Sequence, residues 1–379
     1  MFQSEAKPGP ALDESRQKTA REYARIGRRL AFTELAPTAA ILLVLAFSGL
    51  SPRLVSVIGL PVVSGATAYM AGLVVCYGLI AAPLDYYRGY VLPHRYGLSI
   101  QKLRGWLWDE LKSRALTLVF GAGVTALVYW FISAYPQAWW LMAWGVIVII
   151  GVVMAHLAPV LIVPLFLKMK PLADEDLKRR LEELAQRAGM RVKGVYTLEL
   201  STKGTGANAA LMGTGRTRRI ALTDTLLGKY SSAEIEVILA HEMGHHHHGD
   251  ITKAMVMQAG LSLVGLYLTS IIFGAATGAL GYRGISDVAA LPLLILIIVA
   301  LTLVASPLLN TYQRHREVAA DEYALVLTGK PDAFVSMMTR LTDQNLTEAQ
   351  PPRWVEVLMH DHPSYYQRLE LARRYVSRG

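Results

Sequence analysis

The sequence predicts a mainly α-helical, polytopic membrane protein with a small α+β domain. Three observations support this fold class. Hydrophobic residues make up 53% of the 379-residue chain and charged residues only 18%, whereas about a quarter of the residues in a typical soluble protein are charged. Six long stretches contain no Asp, Glu, Lys or Arg. A charged stretch with helix-like and strand-like patterns separates the fourth of them from the fifth.

The uncharged stretches have the length needed to cross a bilayer, which is about 20 residues for a helix. We predict spans at residues 35–52, 62–84, 115–135, 139–167, 254–282 and 288–313. Pro37 makes the first span short or kinked, and Tyr135-Pro136-Gln137 provides the turn between the third and the fourth. Buried helices of a large soluble protein are the alternative, and the length of the uncharged runs argues against them.

Basic residues are concentrated in alternate connections. Nearly all Lys and Arg lie in four segments: 1–34, 85–114, 168–253 and 314–379. The turns near Arg53, Pro136 and Arg283 carry almost none. By the positive-inside rule, both termini and the 168–253 domain face the cytosol, which in a prokaryote places the protein in the inner membrane. The same placement assigns the net charge of +9 to an anionic membrane face and argues against a nucleic-acid partner.

The stretch 168–253 has the character of a soluble domain. Residues 175–188 have a charged helical pattern, and residues 192–200 alternate as a strand does. Two further strands, 208–212 and 219–222, are joined by the Gly213-Thr214-Gly215 turn. Ser231 followed by Glu234 forms a capping box, which predicts that a helix begins there and continues to His248.

That last helix carries the motif on which a function can be argued. His241-Glu242-Met243-Gly244-His245 reads HExxH, and residues four apart share one face of a helix. Both imidazoles can therefore bind one Zn²⁺, at about 2.0–2.1 Å. Glu242 is placed to take a proton from a zinc-bound water without binding the metal itself. The single cysteine, Cys76, excludes a cysteine zinc site within one chain.

A catalytic zinc site needs a third protein ligand. Glu317 follows the last predicted span by a few residues, just as His245 precedes the fifth span. A hairpin of two spans would bring Glu317 back to the same membrane face as both histidines. We predict that Glu317 is the third ligand and that Asp321 accepts a hydrogen bond from a ligand imidazole. The alternative is a solvated acidic face paired with Arg314 and Arg316.

Beyond the zinc motif, the sequence resembles the integral-membrane CAAX prenyl endopeptidases, a branch of the gluzincin metalloproteases. The resemblance extends over about residues 60–375 and includes several motifs in order: PLDYYRGYVLPHRYGLS, the Trp139-Trp140 pair, GANAALMGTGRTRRIALTDTLL, HEMGHHHHGD, EVAAD and HPSYYQR. It implies spans that enclose a water-filled chamber under the zinc domain. It also implies that Asn208 and Ala209 pair with an extended substrate, and that His362 and Arg368 bind substrate carbonyls and stabilise the oxyanion.

The predicted function is therefore a zinc-dependent membrane endopeptidase that cleaves peptides or membrane proteins, with or without an isoprenyl group. Two features depart from the family pattern: eukaryotic members have seven spans, and Asn208-Ala209-Ala210 replaces the more usual Asn-Ala-aromatic sequence. An HtpX-like quality-control protease is the nearer alternative. A non-enzymatic metal transporter or membrane scaffold is the more distant one. The natural substrate and the oligomeric state stay open.

Overall fold

The computed structural model describes residues 11–213, 215 and 218–378. Residues 1–10 of the predicted N-terminal segment and Thr214, the centre of the predicted turn, lie outside this range. The helices are α1 (Glu14–Phe47), α2 (Leu50–Ile58), α3 (Val62–Tyr86), α4 (Leu92–Arg95), α5 (Leu103–Ala134), α6 (Trp139–Leu161), α7 (Val163–Phe166), α8 (Glu175–Arg187), α9 (Asp224–Leu227), α10 (Ser232–His247), α11 (Asp250–Ala279), α12 (Leu291–Thr328), α13 (Pro331–Gln344), α14 (Arg353–Met359) and α15 (Tyr365–Arg378). The strands are β1 (Met169–Pro171), β2 (Val195–Leu198), β3 (Ala209–Met212) and β4 (Arg219–Thr223).

The predicted fold class is confirmed. Within the described part of the chain, six helical segments are long and apolar enough to cross a membrane: Glu14–Phe47, Val62–Arg95, Leu103–Ala134, Trp139–Pro159, Asp250–Ala279 and Val288–Thr328. Most of these helices are longer than the uncharged runs within them, whereas the fourth, Trp139–Pro159, is shorter than the run 139–167. Within the membrane part, buried aromatic side chains hold the helices together, among them Tyr129, Trp139 and Phe273. The chamber implied by the resemblance stays a prediction.

The soluble domain contains the predicted strands and one more. The sheet order is β1-β2-β4-β3, with β2 and β4 parallel and the outer pairs antiparallel. The additional strand, β1, lies at one edge, where Pro171 can be tolerated because an edge strand leaves one side of its backbone unpaired. Strand β3 forms the opposite edge. The sheet packs against α8 and α10, and α13 packs on α10, around a core that includes Leu181, Leu222 and Phe334.

The helix that carries HExxH begins as predicted. The Ser231 hydroxyl accepts from Glu234 N, and the Glu234 carboxylate accepts from Ser231 N, so the capping box is complete. Gly244 lets α10 approach α12 closely, since a Cβ at this position would lie 2.9 Å from Ala320 Cα. This close packing sets the distance between the HExxH motif and Glu317.

Helix α12 links the membrane part to the site. It is 38 residues long and continues from the last apolar run into the soluble domain, where Glu317, Ala320 and Asp321 are buried. As the hairpin argument predicted, Glu317 returns beside His241 and His245. After α12 the chain folds back through α13 and α14 to α15, and the loop before α15 carries His362.

Candidate active site

Three side chains converge between α10 and α12. The Nε2 atoms of His241 and His245 are 3.2 Å apart. One oxygen of Glu317 lies 3.3 Å from His241 Nε2, and the other lies 3.2 Å from His245 Nε2. In the described chain, these three residues form the one group of histidines and carboxylates, or cysteines, with metal-ligand spacing. They are the three residues that the sequence predicts as ligands.

The cluster has the size of a tetrahedral zinc site. Zn²⁺ with bonds of about 2.0–2.1 Å requires neighbouring ligand atoms to be about 3.3–3.4 Å apart. The Nε2–Nε2 separation, and the separation of each Nε2 from its nearer Glu317 oxygen, are within about 0.2 Å of this value. Glu317 Oε2 is buried and makes no hydrogen bond to the described residues. This acceptor oxygen therefore lies beside the two imidazoles without a donor of its own. Two imidazoles and a carboxylate are also a donor set that zinc prefers.

Each ligand imidazole is oriented from behind by a carboxylate. His241 Nδ1 donates to Asp321 Oδ1 over 2.8 Å, as predicted for Asp321. His245 Nδ1 donates in the same way to Asp250 Oδ2 over 3.0 Å. These bonds place the proton on Nδ1 and leave the Nε2 lone pairs directed at the centre of the cluster.

Each of these carboxylates is in turn held by an arginine. Arg368 donates from Nε to Asp321 Oδ2 at 2.7 Å, and it also donates from Nη2 to Oδ1. Arg316 donates from Nε to Asp250 Oδ1 at 2.5 Å. Each Asp–Arg pair is therefore neutral as a unit. Among the described residues, no lysine or arginine pairs with Glu317, whose charged neighbours are the histidines His241, His245 and His362. A bound cation would therefore balance the negative charge of Glu317.

The pKa of His241 indicates the same requirement. Burial lowers this pKa, but the nearby carboxylates of Asp321 and Glu317 raise it more, and the net result is a rise to about 10. A cation is thus favoured at the centre of the cluster. A metal ion supplies that cation and leaves both imidazoles neutral, as metal binding demands.

Glu242 faces the same cleft from α10. Burial raises the pKa of its carboxyl above the usual range, although the nearby His241 and His245 oppose the rise. A carboxylate with a raised pKa is a better proton acceptor than a free glutamate.

The cleft has a volume of about 180 Å³. Every residue that the sequence singles out for catalysis or substrate binding lines it: Asn208, Ala209, Glu242, His362 and Arg368. Asn208 lies just before the edge strand β3, and Ala209 is the first residue of that strand. His362 lies at the mouth, with its side chain 58% exposed and Nε2 at 3.5 Å from Glu317 Oε2. The Asp361 carboxylate bonds to His362 Nδ1 at 2.7 Å and raises the pKa of His362.

Arg368 is held differently from what its predicted role suggests. Nε and Nη2 are both engaged by Asp321, and the side chain is 13% exposed. Nη1 is the remaining donor that could reach a substrate. Arg368 therefore acts first on Asp321, and through Asp321 on His241.

Sequence reasoning missed three residues of the site. Asp250 and Arg316 orient His245, and the Gly249-Asp250 pair that ends the metal helix was the available signal. Asn345 lines the cleft and pairs with the backbone of Ala207. Its position 100 residues after the metal helix gave no signal in one sequence.

Two family models match the chain. The model of peptidase family M48 matches residues 171–376, which is more than half of the chain. A model described as the CAAX prenyl protease N-terminal, five membrane helices, matches residues 7–168. Within the described part of that stretch, this chain has four candidate spans.

Curated relatives agree with the family models. An uncharacterized metalloprotease of Bacillus subtilis, YhfN, is 30% identical over 78% of this chain and 70% of its own length. The probable CAAX prenyl protease 1 of Schizosaccharomyces pombe is 27% identical over 79% of this chain, and the match spans 64% of that protein.

The fold also has a close counterpart among solved structures. The crystal structure of Saccharomyces mikatae Ste24p superposes with a TM-score of 0.85 and 22% identity, and the match covers 97% of this chain and 92% of that one. At this identity the likeness describes the fold alone. Taken with the two family models and the bacterial relative, it completes the assignment: the chain belongs to peptidase family M48, as a multi-pass membrane metalloendopeptidase in the branch that includes the CAAX prenyl proteases.

Proposed function

We propose that this protein is a zinc-dependent membrane endopeptidase that cleaves peptides ending in a prenylated CAAX-type sequence. One observation carries the metal assignment: the Nε2 atoms of His241 and His245 lie 3.2 Å apart, and each lies within 3.3 Å of one of the two carboxylate oxygens of Glu317. The names of the eukaryotic relatives support the substrate class.

The reaction divides between the metal and the side chains of the cleft. Zinc held by the three ligands would act as a Lewis acid and lower the pKa of a water molecule to near neutrality. Glu242 takes a proton from the attacking water and later delivers it to the leaving amine. Its raised pKa matches this double role, because the same group must accept and then release a proton near neutral pH.

His362 is the donor best placed to stabilise the oxyanion. Its imidazole stands at the mouth of the cleft beside Glu317, and Asp361 favours its protonated form. A cationic N–H donor directed at developing negative charge typically contributes a hundredfold or more in rate, by analogy with an oxyanion-hole donor. Arg368 Nη1 is the second candidate. We assign Arg368 chiefly to fixing Asp321 and His241, because two of its three nitrogens are already engaged there.

The substrate main chain would pair with the outer edge of the sheet at β3. An extended peptide adds to such an edge through backbone hydrogen bonds. The Asn208 side chain lies beside this edge and could contact the substrate, as the family resemblance implies. We also assign 35–167 and 254–313 to the membrane part, and 168–253 with 314–379 to a zinc domain on the cytosolic side. The positive-inside distribution of Lys and Arg supports that orientation.

The test is cleavage of one synthetic peptide that ends in a CAAX-like sequence, prepared with and without a farnesyl group. Purified wild type and Glu242→Gln are compared, and products are identified by mass. Glu242-dependent cleavage of only the farnesylated peptide supports the proposal in full. Equal cleavage of both forms would favour the quality-control alternative. Failure to cleave either peptide despite bound zinc would refute the proposed substrate class.

A further inference from the structure

The backbone groups of the edge strand point alternately toward and away from the sheet. In an antiparallel pair, residues that exchange hydrogen bonds alternate with residues whose N–H and C=O face the other side. Asn208 O accepts from Thr223 N, and Asn208 N donates to the Thr223 hydroxyl, so both backbone groups of Asn208 face β4. Alternation therefore directs the N–H and C=O of Ala207, Ala209 and Leu211 outward, to the side from which a substrate would approach.

Several of these outward groups are already occupied by side chains of the protein. Ala207 N donates to Asn345 Oδ1 at 3.1 Å, and Asn345 Nδ2 donates to Ala207 O at 3.4 Å, so one amide replaces a whole strand partner. Ala209 N donates to the Asn208 side chain at 2.8 Å.

At the other end of the strand, the metal helix closes the edge. His246 Nε2 donates to Leu211 O at 2.9 Å. His246 directly follows the ligand His245 on α10, so its ring is held in place by the helix that builds the site. The same alternation leaves Ala209 O and Leu211 N facing outward, and no side chain or loop backbone among the described residues bonds to them.

We propose that His246 and Asn345 limit substrate pairing to a short window of the edge strand, open at Ala209 O and Leu211 N, and that His246 is a specificity-determining residue. This inference rests on the proposed function. A full antiparallel partner would make four hydrogen bonds to Ala209 and Leu211, whereas the window offers two. Backbone recognition is accordingly weak on this edge, and other contacts must select the substrate.

His246 acts on one particular side of the cleaved bond. His241, Glu242 and Ala209 line the same cleft, so the reacting bond lies near Ala209. A substrate antiparallel to β3 runs from the Leu211 end toward the Ala207 end. The substrate residue opposite Leu211 is therefore on the amino-terminal side of the cleaved bond. Its N–H cannot donate to Leu211 O, because that oxygen already accepts from His246.

Replacing His246 tests the inference directly. His246→Ala removes the ring and frees Leu211 O to accept from the substrate, and alanine suits a helix. One added hydrogen bond should raise kcat/KM for a farnesylated CAAX peptide by roughly two- to tenfold. The peptide is also made as a series in which each amide on the amino-terminal side is replaced in turn by an ester, which removes the N–H without adding bulk.

In His246→Ala, ester replacement at a single position should cancel the gain, whereas the same replacement in wild type should change kcat/KM by less than about twofold. His246→Gln should restore the wild-type pattern, because its amide can donate to Leu211 O. The matched control is His247→Ala, since the His247 ring stacks on Tyr323 and does not contact the edge.

The outcomes separate the two proposals. Lack of Glu242-dependent cleavage of every peptide would refute the proposed function itself. Cleavage that His246→Ala leaves unchanged, or lowers evenly across the ester series, would keep the peptidase and refute the role of His246. Cleavage that rises without dependence on any one ester would do the same.

Discussion

Asp250 offers the sharpest test of how the site is built, through the single change Asp250→Asn. Its two oxygens accept from two donors, His245 Nδ1 at 3.0 Å and Arg316 Nε at 2.5 Å. The two donors bind different carboxylate oxygens, and an asparagine amide replaces one of these oxygens with an NH₂ group. The remaining oxygen can therefore accept from only one of the two donors in this geometry. If the oxygen stays with Arg316, the amide NH₂ faces His245 Nδ1. That contact favours the imidazole tautomer that carries its proton on Nε2, which cannot bind a metal.

The expected loss in Zn²⁺ affinity is roughly 10- to 100-fold, the usual effect of removing the partner of a ligand histidine. This corresponds to about 1.4–2.7 kcal/mol of binding free energy. The metal-free protein should lose less stability than it does with Asp321→Asn. Asp321 is fully buried and its partner Arg368 is 13% exposed, whereas Arg316 is 22% exposed and can reach water more easily.

The assay is chelator competition for zinc in the purified protein, together with thermal unfolding of the metal-free form. Asp332→Asn is the matched control, because Asp332, like Asp250, is an acidic residue in the first turn of a helix but lies outside the metal cluster. Zinc affinity that stays within twofold of wild type in Asp250→Asn would refute the orienting role.

Three further predictions concern the packing of the site, the position of His362 and the need for zinc. Gly244→Ala should destabilise the protein by about 1–3 kcal/mol and weaken zinc binding, because the new Cβ would lie 2.9 Å from Ala320 Cα. Thermal unfolding measures the change in stability, and Gly265→Ala is the control because Gly265 has open space around it. Arg314→Ala should lower kcat by roughly 10- to 100-fold and leave the zinc content unchanged. Arg314 donates to the carbonyls of Glu356 and His360, which precede His362 in the chain. Loss of zinc in this variant would contradict a role limited to positioning His362. A strong chelator should abolish cleavage and lower Tm. Free zinc at about 100 times Kd should restore both and add about 2.7 kcal/mol to the free energy of unfolding. Activity that survives complete zinc removal would contradict metal dependence.

The elements that sequence reasoning predicted are those whose signals are local. The capping box at Ser231 and the spacing of His241 and His245 lie within one helix, so their geometry follows from helical periodicity. Glu317 is distant in sequence, but counting spans predicted that it returns to the end of the membrane helices where both histidines lie, and it lies beside them. The uncharged runs likewise predicted the membrane helices, although not how far each helix extends beyond them.

The remaining features depend on tertiary contacts that no local pattern encodes. Asp250 reaches His245 because Gly249, at φ 66°, turns the chain between two helices. His246 belongs to a run of four histidines, His245 to His248, and nothing local indicates that its ring bonds to the Leu211 carbonyl. Asn345 meets Ala207 across 138 residues. Each of these contacts is decided by how α10, α13 and β3 pack together.

The central claim is that His241, His245 and Glu317 hold one zinc ion that Glu242 needs for peptide hydrolysis. The most direct measurement determines zinc content and cleavage of the farnesylated peptide on the same preparations of wild type, Glu242→Gln and Glu317→Gln. We expect one zinc per chain and cleavage in wild type, full zinc without cleavage in Glu242→Gln, and loss of both in Glu317→Gln. Cleavage retained by Glu242→Gln, or undiminished zinc in Glu317→Gln, would contradict it.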